Sequence, residues 1–551
     1  MAASAPSATG PAAPQGFYDL PRRRVWTTLG GVMVAMLMAA LDQTIVGTAM
    51  PRVITELHGF EHYAGVLTAY MVASTIAVPI SGKLSDLYGR KPFLMGGVLL
   101  FILASAACGA AQSMGQLIAF RGVQGLAAGT TQAMAFTTIA DLFPPARRGR
   151  VSGVMGTVFG LASVIGPALG GVITDGPGWR YVFYVNIPIG IAALAVLGFY
   201  FPMIRRPRDF RPRIDYLGAL TLTLAVVSLL LAISWGGRDY SWGSPMILAL
   251  ALAGVAMTGV FLRAESLAAD PIMPLGLFRQ PVVGVSLAAA ALVAVGMFGA
   301  TLFIPLFIQG VIGSNATGSG AVMTPMMLGM IAASMTSGQL VTHLGRYRFL
   351  AISGVALTAV GMFLLSRMGV GTQYVTVVAF MVVLGLGLGL TMPLFSLAVQ
   401  NAVDVRVVGT ATAMVQFLRS IGGSLGAALF GAVLANRFVP AFHAALPADV
   451  MARMPAAALA RLDNPQLLMN PGALQRLSQD LAGFGDQSRQ AAATVLAAIR
   501  AGLAVSLHDM FLLGAAVLVL ATLITLRLKD VPLRHSNRPG TPVPAKAAAG
   551  H

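Results

Sequence analysis

The chain has 551 residues, of which 56% are hydrophobic and only 10% are charged. A soluble domain has roughly 45–50% apolar and about 25% charged residues, so this composition excludes a water-soluble protein. The apolar residues form continuous blocks such as 92–111 and 245–262, which excludes the alternating ten-residue strands of a transmembrane barrel. The single cysteine, Cys108, argues against a disulfide framework and a Cys/His metal site. The composition therefore predicts an all-α membrane protein.

The apolar blocks follow one another along the chain at lengths that suit a bilayer. One crossing takes about 20 residues of helix. On this basis the sequence predicts fourteen transmembrane helices, at 26–49, 63–82, 92–111, 116–139, 151–173, 181–203, 214–234, 245–263, 284–309, 321–341, 348–366, 374–398, 407–435 and 507–528. Residues 1–25 are rich in Ala, Pro and Ser, so we expect a disordered tail there and no cleavable signal peptide.

The net charge of +17 lies mainly in alternate loops. Basic residues are frequent in the loops that follow even-numbered spans, whereas the opposite short loops hold only Arg52, Arg180, Arg238 and Arg367. Cytoplasmic loops carry an excess of Lys and Arg, so both termini, including the tail 529–551, are predicted to be cytoplasmic. The charge therefore indicates orientation in a lipid bilayer, and no nucleic acid partner is expected.

The segment 436–506 interrupts this rhythm between the last two spans. It is predicted to lie outside the membrane, with short amphipathic helices at 447–462, 472–483 and 487–506 separated by Pro and Gly. Two interpretations stay open for it. The segment could form a cap packed on the outer face, or it could bind a periplasmic adaptor protein.

An internal repeat divides the chain into halves. Residues 81–90 read SGKLSDLYGR and residues 337–346 read SGQLVTHLGR, an offset of 256 that also relates Gly166 and Gly170 to Gly422 and Gly426. Because eight spans separate equivalent positions, the halves run in the same direction. We therefore predict two parallel six-helix repeats, formed by 26–203 and by 284–435 with 507–528, and an inserted helix pair within 204–283. Such duplication is typical of transporters with a central binding site.

The turn after the second span contains a candidate gate latch. Residues 82–92 read GKLSDLYGRKP, and Gly82, Asp86, Gly89 and Arg90 are the positions that we expect to matter. Asp86 and Arg90 could pair across helix ends in one conformation and separate in another. The alternative is a solvated turn, because exposed ion pairs contribute at most about 1 kcal/mol.

Four segments together resemble a known family. They read LDQTIVGTAMP at 41–51, GKLSDLYGRKP at 82–92, RGVQGLAAG at 121–129, and GLASVIGPALGG at 160–171 followed by WRYVFYVNIPIG at 179–190. Over about residues 22–530 the chain resembles the fourteen-helix drug:proton antiporters of the major facilitator superfamily in bacteria. The resemblance implies the major facilitator fold in a bacterial cytoplasmic (inner) membrane, and export driven by a proton gradient without a cofactor.

The fifth span contains the element that resembles the marker of exporters in this superfamily. Gly166 and Gly170 lie four residues apart on one helix face, where two backbones can approach closely, and Gly171 follows. Pro167 removes a backbone hydrogen bond, so this helix should bend. The alternative is a plain packing face without a role in transport direction.

Few ionisable residues fall inside the predicted spans. Asp42 is the only acid predicted to be clearly buried, and Arg121 and Arg419 are the intramembrane bases. A charge within a span costs at least ~2.5 kcal/mol and marks a functional site by default. Asp42 and Arg121 lie at similar predicted depth, so we expect them to form the proton-coupling pair. A static structural ion pair is the alternative.

These groups suggest an exchange mechanism. Burial disfavours the ionised form of a carboxyl group and a nearby guanidinium favours it, so moving the helices could load or release a proton. A cationic substrate would compete with that proton for Asp42. Gln43, Gln132, Gln416 and Arg419 are candidate substrate-binding residues, together with methionines that adapt to varied apolar shapes.

The sequence therefore predicts a secondary active transporter, not an enzyme, that exports hydrophobic or cationic small molecules. The alternative is a transporter of the same architecture for an endogenous lipid, siderophore or metabolite. An ATP-driven pump is excluded because the phosphate-binding GxxxxGK[ST] loop is missing. A membrane-embedded enzyme is disfavoured because acidic and histidine residues do not cluster near one face.

Overall fold

A computed structural model describes residues 20–57, 63–202, 214–237, 240–314, 316–404, 407–454, 462 and 488–533. The expectations for residues 1–19 and 534–551, and for most of 455–487, fall outside these described residues. The long helices are α1 Arg22–Leu57, α2 Tyr63–Tyr88, α3 Arg90–Gly109, α4 Met114–Leu142, α5 Pro145–Asp175, α6 Arg180–Tyr184 with α7 Asn186–Tyr200, α8 Tyr216–Trp235, α9 Pro245–Leu267, α10 Pro281–Leu306, α11 Ala316–Leu344, α12 Arg348–Ser366, α13 Tyr374–Ala402, α14 Val408–Ala445, a short α15 Ala448–Arg453, and α16 Ser488–Thr525.

Thirteen of the described helical segments are long and apolar enough to cross a bilayer, with α6 and α7 counted as one segment. The helix that falls below this threshold is α4, although its 29 residues exceed the length of a crossing. Its apolar character is lowered by polar residues that include Arg121, Gln124 and Gln132. The predicted all-helical fold with fourteen crossings is confirmed, and the helix below the threshold carries Arg121, Gln124 and Gln132.

The structure corrects the boundaries around the candidate latch. We predicted a loop over 82–92, whereas α2 continues to Tyr88 and α3 begins at Arg90. The whole connection is Gly89, whose φ of 98° lies in the left-handed region that glycine adopts without strain. Asp86 therefore lies on the last turn of α2, so its direction is fixed by the helix and not by a mobile loop.

The segment 436–506 also differs from the prediction. Helix α14 continues to Ala445 and α16 begins at Ser488, well before the predicted start at 507. Phe438 and Phe442 of α14 are buried, and the backbone of Phe442 lies against Gly502 of α16. The predicted helix boundaries at 435 and 507 were wrong, because residues 436–445 and 488–506 extend two long helices that bury apolar side chains against each other.

The two halves repeat the same close helix contact. Gly125 and Gly129 of α4 lie against the carbonyl groups of Tyr70 and Ser74 on α2. In the second half, Gly385 and Gly389 of α13 lie against the carbonyls of Met326 and Met330 on α11. An added Cβ would be 2.2–2.4 Å from these oxygens, so glycine is required at each crossing. The contacted residues of α2 and α11 are related by the repeat offset of 256 residues. The glycines of α4 and α13 are related by 260 residues, so α13 is displaced by about one helical turn from the repeat.

Contacts between the halves are made by α2 with α14 and by α5 with α11. Gly82 of α2 lies against Ala413 of α14, and an added Cβ at Gly82 would be 2.4 Å from the Ala413 Cβ. Gly153 of α5 lies against Met335 of α11 in the equivalent arrangement. These small residues let the two six-helix units approach closely, which is how helices associate where no hydrophobic force acts between them.

Candidate functional site

A fully buried ion pair lies between α1 and α4. Arg121 Nη1 donates to Asp42 Oδ2 over 2.6 Å, and the two residues are 1% and 0% exposed. The structure thus brings together the two charged residues that the sequence placed at similar depth. Charge-assisted hydrogen bonds of this kind are about twice as strong as neutral ones, and the pair is shielded from solvent screening.

Two amide side chains complete the surroundings of the carboxylate. Gln124 Nε2 and Asn186 Nδ2 each donate to Asp42 Oδ1 over 2.9 Å. Both amides also donate to the hydroxyl of Ser105 on α3, over 2.7 and 3.3 Å. Residues from α1, α3, α4 and α7 therefore converge on one carboxylate. A movement of any of these helices would change how well its charge is stabilised.

The guanidinium of Arg121 has a second environment on its other side. It lies over the ring of Tyr70 on α2, 4.1 Å from the ring centre, and 6.0 Å from that of Phe183. Its Nε atom is buried and has no hydrogen-bond partner. Arg121 Nη1 also donates to Gln124 Oε1 over 2.7 Å, so one carboxylate, one amide and an aromatic face hold the arginine.

Gln43 and Gln132 line an open-sided cavity next to this network. The other lining residues are Met36, Ala39, Ala40, Tyr70, Ser74, Ala128 and Phe159, and the empty space is about 420 Å³, including the part that opens to solvent. Tyr70 belongs to both sites, because its ring borders the cavity and stacks on Arg121.

Gln416 and Arg419, the other predicted substrate residues, lie apart from this cavity wall on α14. Arg419 Nη1 donates to Gln416 Oε1 over 3.0 Å, and Nη2 contacts the sulfur of Met392 on α13. The sequence analysis treated Gln43, Gln132, Gln416 and Arg419 together as candidate substrate-binding residues. The structure places two in the first half and two in the second.

Asp86, one of the predicted latch residues, joins the two halves at one end of the bundle. Asp86 Oδ2 accepts hydrogen bonds from the amide and the hydroxyl of Thr410, over 2.8 and 2.6 Å. Arg90 forms ion pairs with Asp86 and with Asp141, the latter over 2.9 Å. We call these four residues the latch. Gly409 belongs to the same contact, because an added Cβ there would be 2.3 Å from Asp86 Oδ1.

A second bridge lies beside the latch. Arg148 donates to the carbonyl groups of Phe143 and Ala140 over 2.8 and 2.6 Å, and to Gln400 Oε1 of the second half over 3.3 Å. Gln400 in turn donates to Thr412 over 3.1 Å. The halves are therefore hydrogen-bonded to each other at the latch end in this conformation.

The prediction that Asp42 is the only clearly buried acid was wrong. Asp86 and Glu265 are 6% and 3% exposed. Glu265 accepts hydrogen bonds from the amides of Ile272 and Met273, both over 3.2 Å, and so holds the turn after α9. Both acids lie in the last turns of their helices and are buried by neighbouring loops and helices, which hydropathy does not reveal.

The exporter element packs as the glycine spacing suggests, with one exception. Gly166 and Gly170 face α1, where an added Cβ would be 2.0 Å from the hydroxyl oxygens of Thr44 and Thr48. Thr44 also donates to the carbonyl of Ala162 over 3.0 Å. Gly171 has no atom within 4 Å of an added Cβ, so it does not belong to this contact face. Pro167 lies within the continuous helix α5.

Sequence reasoning missed several residues of the polar network. Ser105, Gln124 and Asn186 were not predicted, although Gln124 and Asn186 lie within the quoted segments 121–129 and 179–190. The spacing of three between Arg121 and Gln124 places them on one helix face and could have indicated Gln124. Asn186 had no comparable signal, because only the fold brings α7 to Asp42.

Comparisons with known proteins agree with this architecture. The family model for the Major Facilitator Superfamily matches residues 32–427. The multidrug transporter protein MdtP of Bacillus subtilis is 39% identical over 526 residues, covering 92% of this chain and 93% of that protein. Multidrug resistance protein 3 of the same organism is 41% identical over 413 residues, covering 74% and 79% of the two chains.

Solved structures show the same fold. The proton:xylose symporter XylE superposes with a TM-score of 0.59 at 12% identity, covering 92% of this chain and 97% of that one. The human organic anion transporter MFSD10 gives a TM-score of 0.55 at 14% identity, with 91% and 100% coverage. The length of the family match and the identity to relatives lead to one conclusion: this chain belongs to the Major Facilitator Superfamily and is a multi-pass membrane transporter, not an enzyme.

Proposed function

We propose that this transporter is a proton-coupled antiporter that exports hydrophobic or cationic small molecules by alternating access. The observation that carries the proposal is the fully buried Asp42, held by Arg121, Gln124 and Asn186 beside a cavity. An ionisable group inside the membrane is expensive and rarely kept without a function. The names of the two Bacillus subtilis relatives support drugs as the substrates.

The coupling follows from competition for one carboxylate. Ionised Asp42 is stabilised by the guanidinium and two amides, and helix displacement that removes these donors favours proton uptake. A cationic substrate in the adjoining cavity stabilises the ionised form and so favours proton release. Because a proton and a cation cannot both satisfy the same charge, their movements become linked in opposite directions.

The closed latch supplies the second element of alternating access. The hydrogen bonds from Thr410 to Asp86 join the two halves at one end, and Arg90 holds Asp86 in place together with Asp141. The distribution of basic loop residues supports a cytoplasmic position for that end and for both termini, in a bacterial inner membrane. Opening the latch would expose the cavity to the cytoplasm, where substrate enters. No bound cofactor is needed, because the proton gradient supplies the free energy.

The test uses everted membrane vesicles energised by respiration and a fluorescent cation. The wild type should accumulate the cation, and a protonophore should abolish accumulation. Asp42→Asn keeps the side-chain size but cannot be ionised, so proton-driven accumulation should fall to background while membrane expression persists. Asp509→Asn is the matched control, because that acid pairs with Arg437 on a largely exposed surface and should retain near wild-type activity.

Two outcomes would contradict the proposal. Asp42→Asn vesicles that still accumulate the cation in response to a pH gradient would exclude Asp42 as the coupling group. Redistribution of lipid without cation transport by the wild type would instead favour the alternative function, transport of an endogenous lipid or metabolite. The periplasmic adaptor protein stays a prediction that neither outcome tests.

A further inference from the structure

Arg419 is a charged residue in the middle of a membrane-spanning helix. It lies nine residues beyond the latch residue Thr410 on α14, which places it about 13 Å further along the helix axis. A guanidinium at this depth costs at least ~2.5 kcal/mol even on the lenient insertion scale. Its retention therefore requires a compensating interaction or a function.

Among the residues that the structure describes, Arg419 has no acidic partner. Its described contacts are the amide oxygen of Gln416 at 3.0 Å and the sulfur of Met392. Within the part of the chain that the structure describes, no acidic side chain forms an ion pair with it. The facing helices α10 and α13 contain no acidic residue at all. Neutral acceptors therefore satisfy only part of its five donors.

Three other largely buried cations, Arg121, Arg90 and Lys83, each have a carboxylate partner. Arg121 pairs with Asp42, Arg90 pairs with Asp86, and Lys83 pairs with Asp270. Each of these charges is neutralised by the protein itself. The contrast suggests that the counter-charge of Arg419 comes from outside the protein.

The position of Arg419 points to the central space between the halves. The matching glycine crossings relate α4 to α13 with an offset of 260, so the counterpart of Gln132 is Met392. Gln132 lines the cavity of the first half, and Met392 contacts Arg419 in the second. Because parallel repeats surround one central axis, Arg419 and Gln416 occupy the equivalent wall on the opposite side.

We propose that Arg419 and Gln416 bind a carboxylate of the transported molecule, so that the substrate class includes amphiphiles that carry an acidic group. A guanidinium can donate two parallel hydrogen bonds to a carboxylate, a geometry that an ammonium cannot match. The inference rests on the proposed export function. It adds that Asp42 in the first half and Arg419 in the second can hold opposite charges of one zwitterionic substrate.

The test compares two dyes that differ only at one acidic group. Rhodamine 110 has a free carboxylate, and rhodamine 123 is its methyl ester with the same cationic ring system. Binding of each dye to purified full-length protein in detergent is measured by fluorescence anisotropy. Arg419→Gln should weaken binding of rhodamine 110 about tenfold and change binding of rhodamine 123 less than twofold. Arg437→Gln, a mostly exposed arginine on the same helix, is the control and should change neither.

A conservative variant separates charge from shape. Arg419→Lys keeps the positive charge and should retain a preference for rhodamine 110 over rhodamine 123 that Arg419→Gln loses. The proposal is overturned if the wild type does not bind rhodamine 110, if Arg419→Gln binds it as tightly as the wild type, or if both variants lose both dyes equally. Because binding is measured without a proton gradient, a failure of coupling at Asp42 leaves this readout unchanged.

Discussion

The two halves share their helix packing and differ in their chemistry. The glycine crossing of α2 with α4 is repeated by α11 with α13, down to the carbonyl groups that each glycine meets. At that repeated crossing, Tyr70 corresponds to Met326, Arg121 to Met381, and Gln124 to Leu384. Every one of these counterparts is apolar and buried. The first half therefore holds a polar network around Asp42, and the second half has apolar residues at the counterparts of Tyr70, Arg121 and Gln124.

This difference shows which parts of a duplicated membrane protein are constrained by packing. A glycine that touches a backbone carbonyl cannot be replaced without separating two helices, so it occurs in both halves. A buried charge needs partners from several helices at once, and around Asp42 the first half supplies them from α4 and α7. Packing therefore follows the symmetry of the fold, and the ionisable chemistry departs from it.

The largest expected effect compares the two intramembrane arginines. Arg121→Met leaves the Asp42 carboxylate buried without its partner, which should destabilise the protein by about 3–5 kcal/mol. Arg419→Met removes a charge that has no acidic partner among the described residues, so stability should be unchanged or increased. The melting temperature of purified protein in detergent measures both variants. Equal destabilisation by the two substitutions would contradict the asymmetry.

An intermediate effect is expected at the contacts between the halves. Gly409→Ala would place a methyl group 2.3 Å from Asp86 Oδ1, so the latch should fail to close. Gly153→Ala, at the counterpart position, meets Met335 only at 3.0 Å and should act more weakly. The rate at which an impermeant maleimide labels Gln400→Cys, in a Cys108→Ala background, should rise several-fold for Gly409→Ala.

The control for this experiment is a glycine away from any contact. An added Cβ at Gly96 meets no atom within 4 Å, so Gly96→Ala should leave the labelling rate unchanged. Labelling of Gly409→Ala at the wild-type rate would show that the latch does not determine access to the space between the halves.

The smallest effect is expected in the segment between the last two helices. The packed residues Phe442 and Ile499 show that 436–445 and 488–506 belong to the helical core, so a linker must leave these residues in place. Replacing only 463–487 with a short Gly/Ser linker should leave membrane insertion and cation accumulation within about twofold of the wild type. Immunoblots of membrane fractions and the vesicle assay provide the measurements. Loss of insertion would assign those residues to the core.

The sequence by itself determined the features that depend on position along one chain. The hydropathy pattern predicted fourteen crossings, because only helices that are long and apolar enough can span a bilayer. The internal offset showed the duplication, and the rarity of charges within spans indicated Asp42, Arg121 and Arg419. The charged turn at 82–92, with glycines at 82 and 89, indicated Asp86 and Arg90 as latch residues. The sequence did not predict that this segment is helical on both sides of Gly89.

Only the tertiary structure decided which residues are partners. It brought Asn186 to Asp42 and Ser105 to Gln124 from separate helices, shifted α13 by one turn relative to the sequence offset, and gave Arg419 a neutral amide partner in Gln416. It also showed that Gly170 meets α1 and that its neighbour Gly171 does not. Rotation and register of one helix against another arise from side-chain packing across the interface. No local pattern in the chain encodes them.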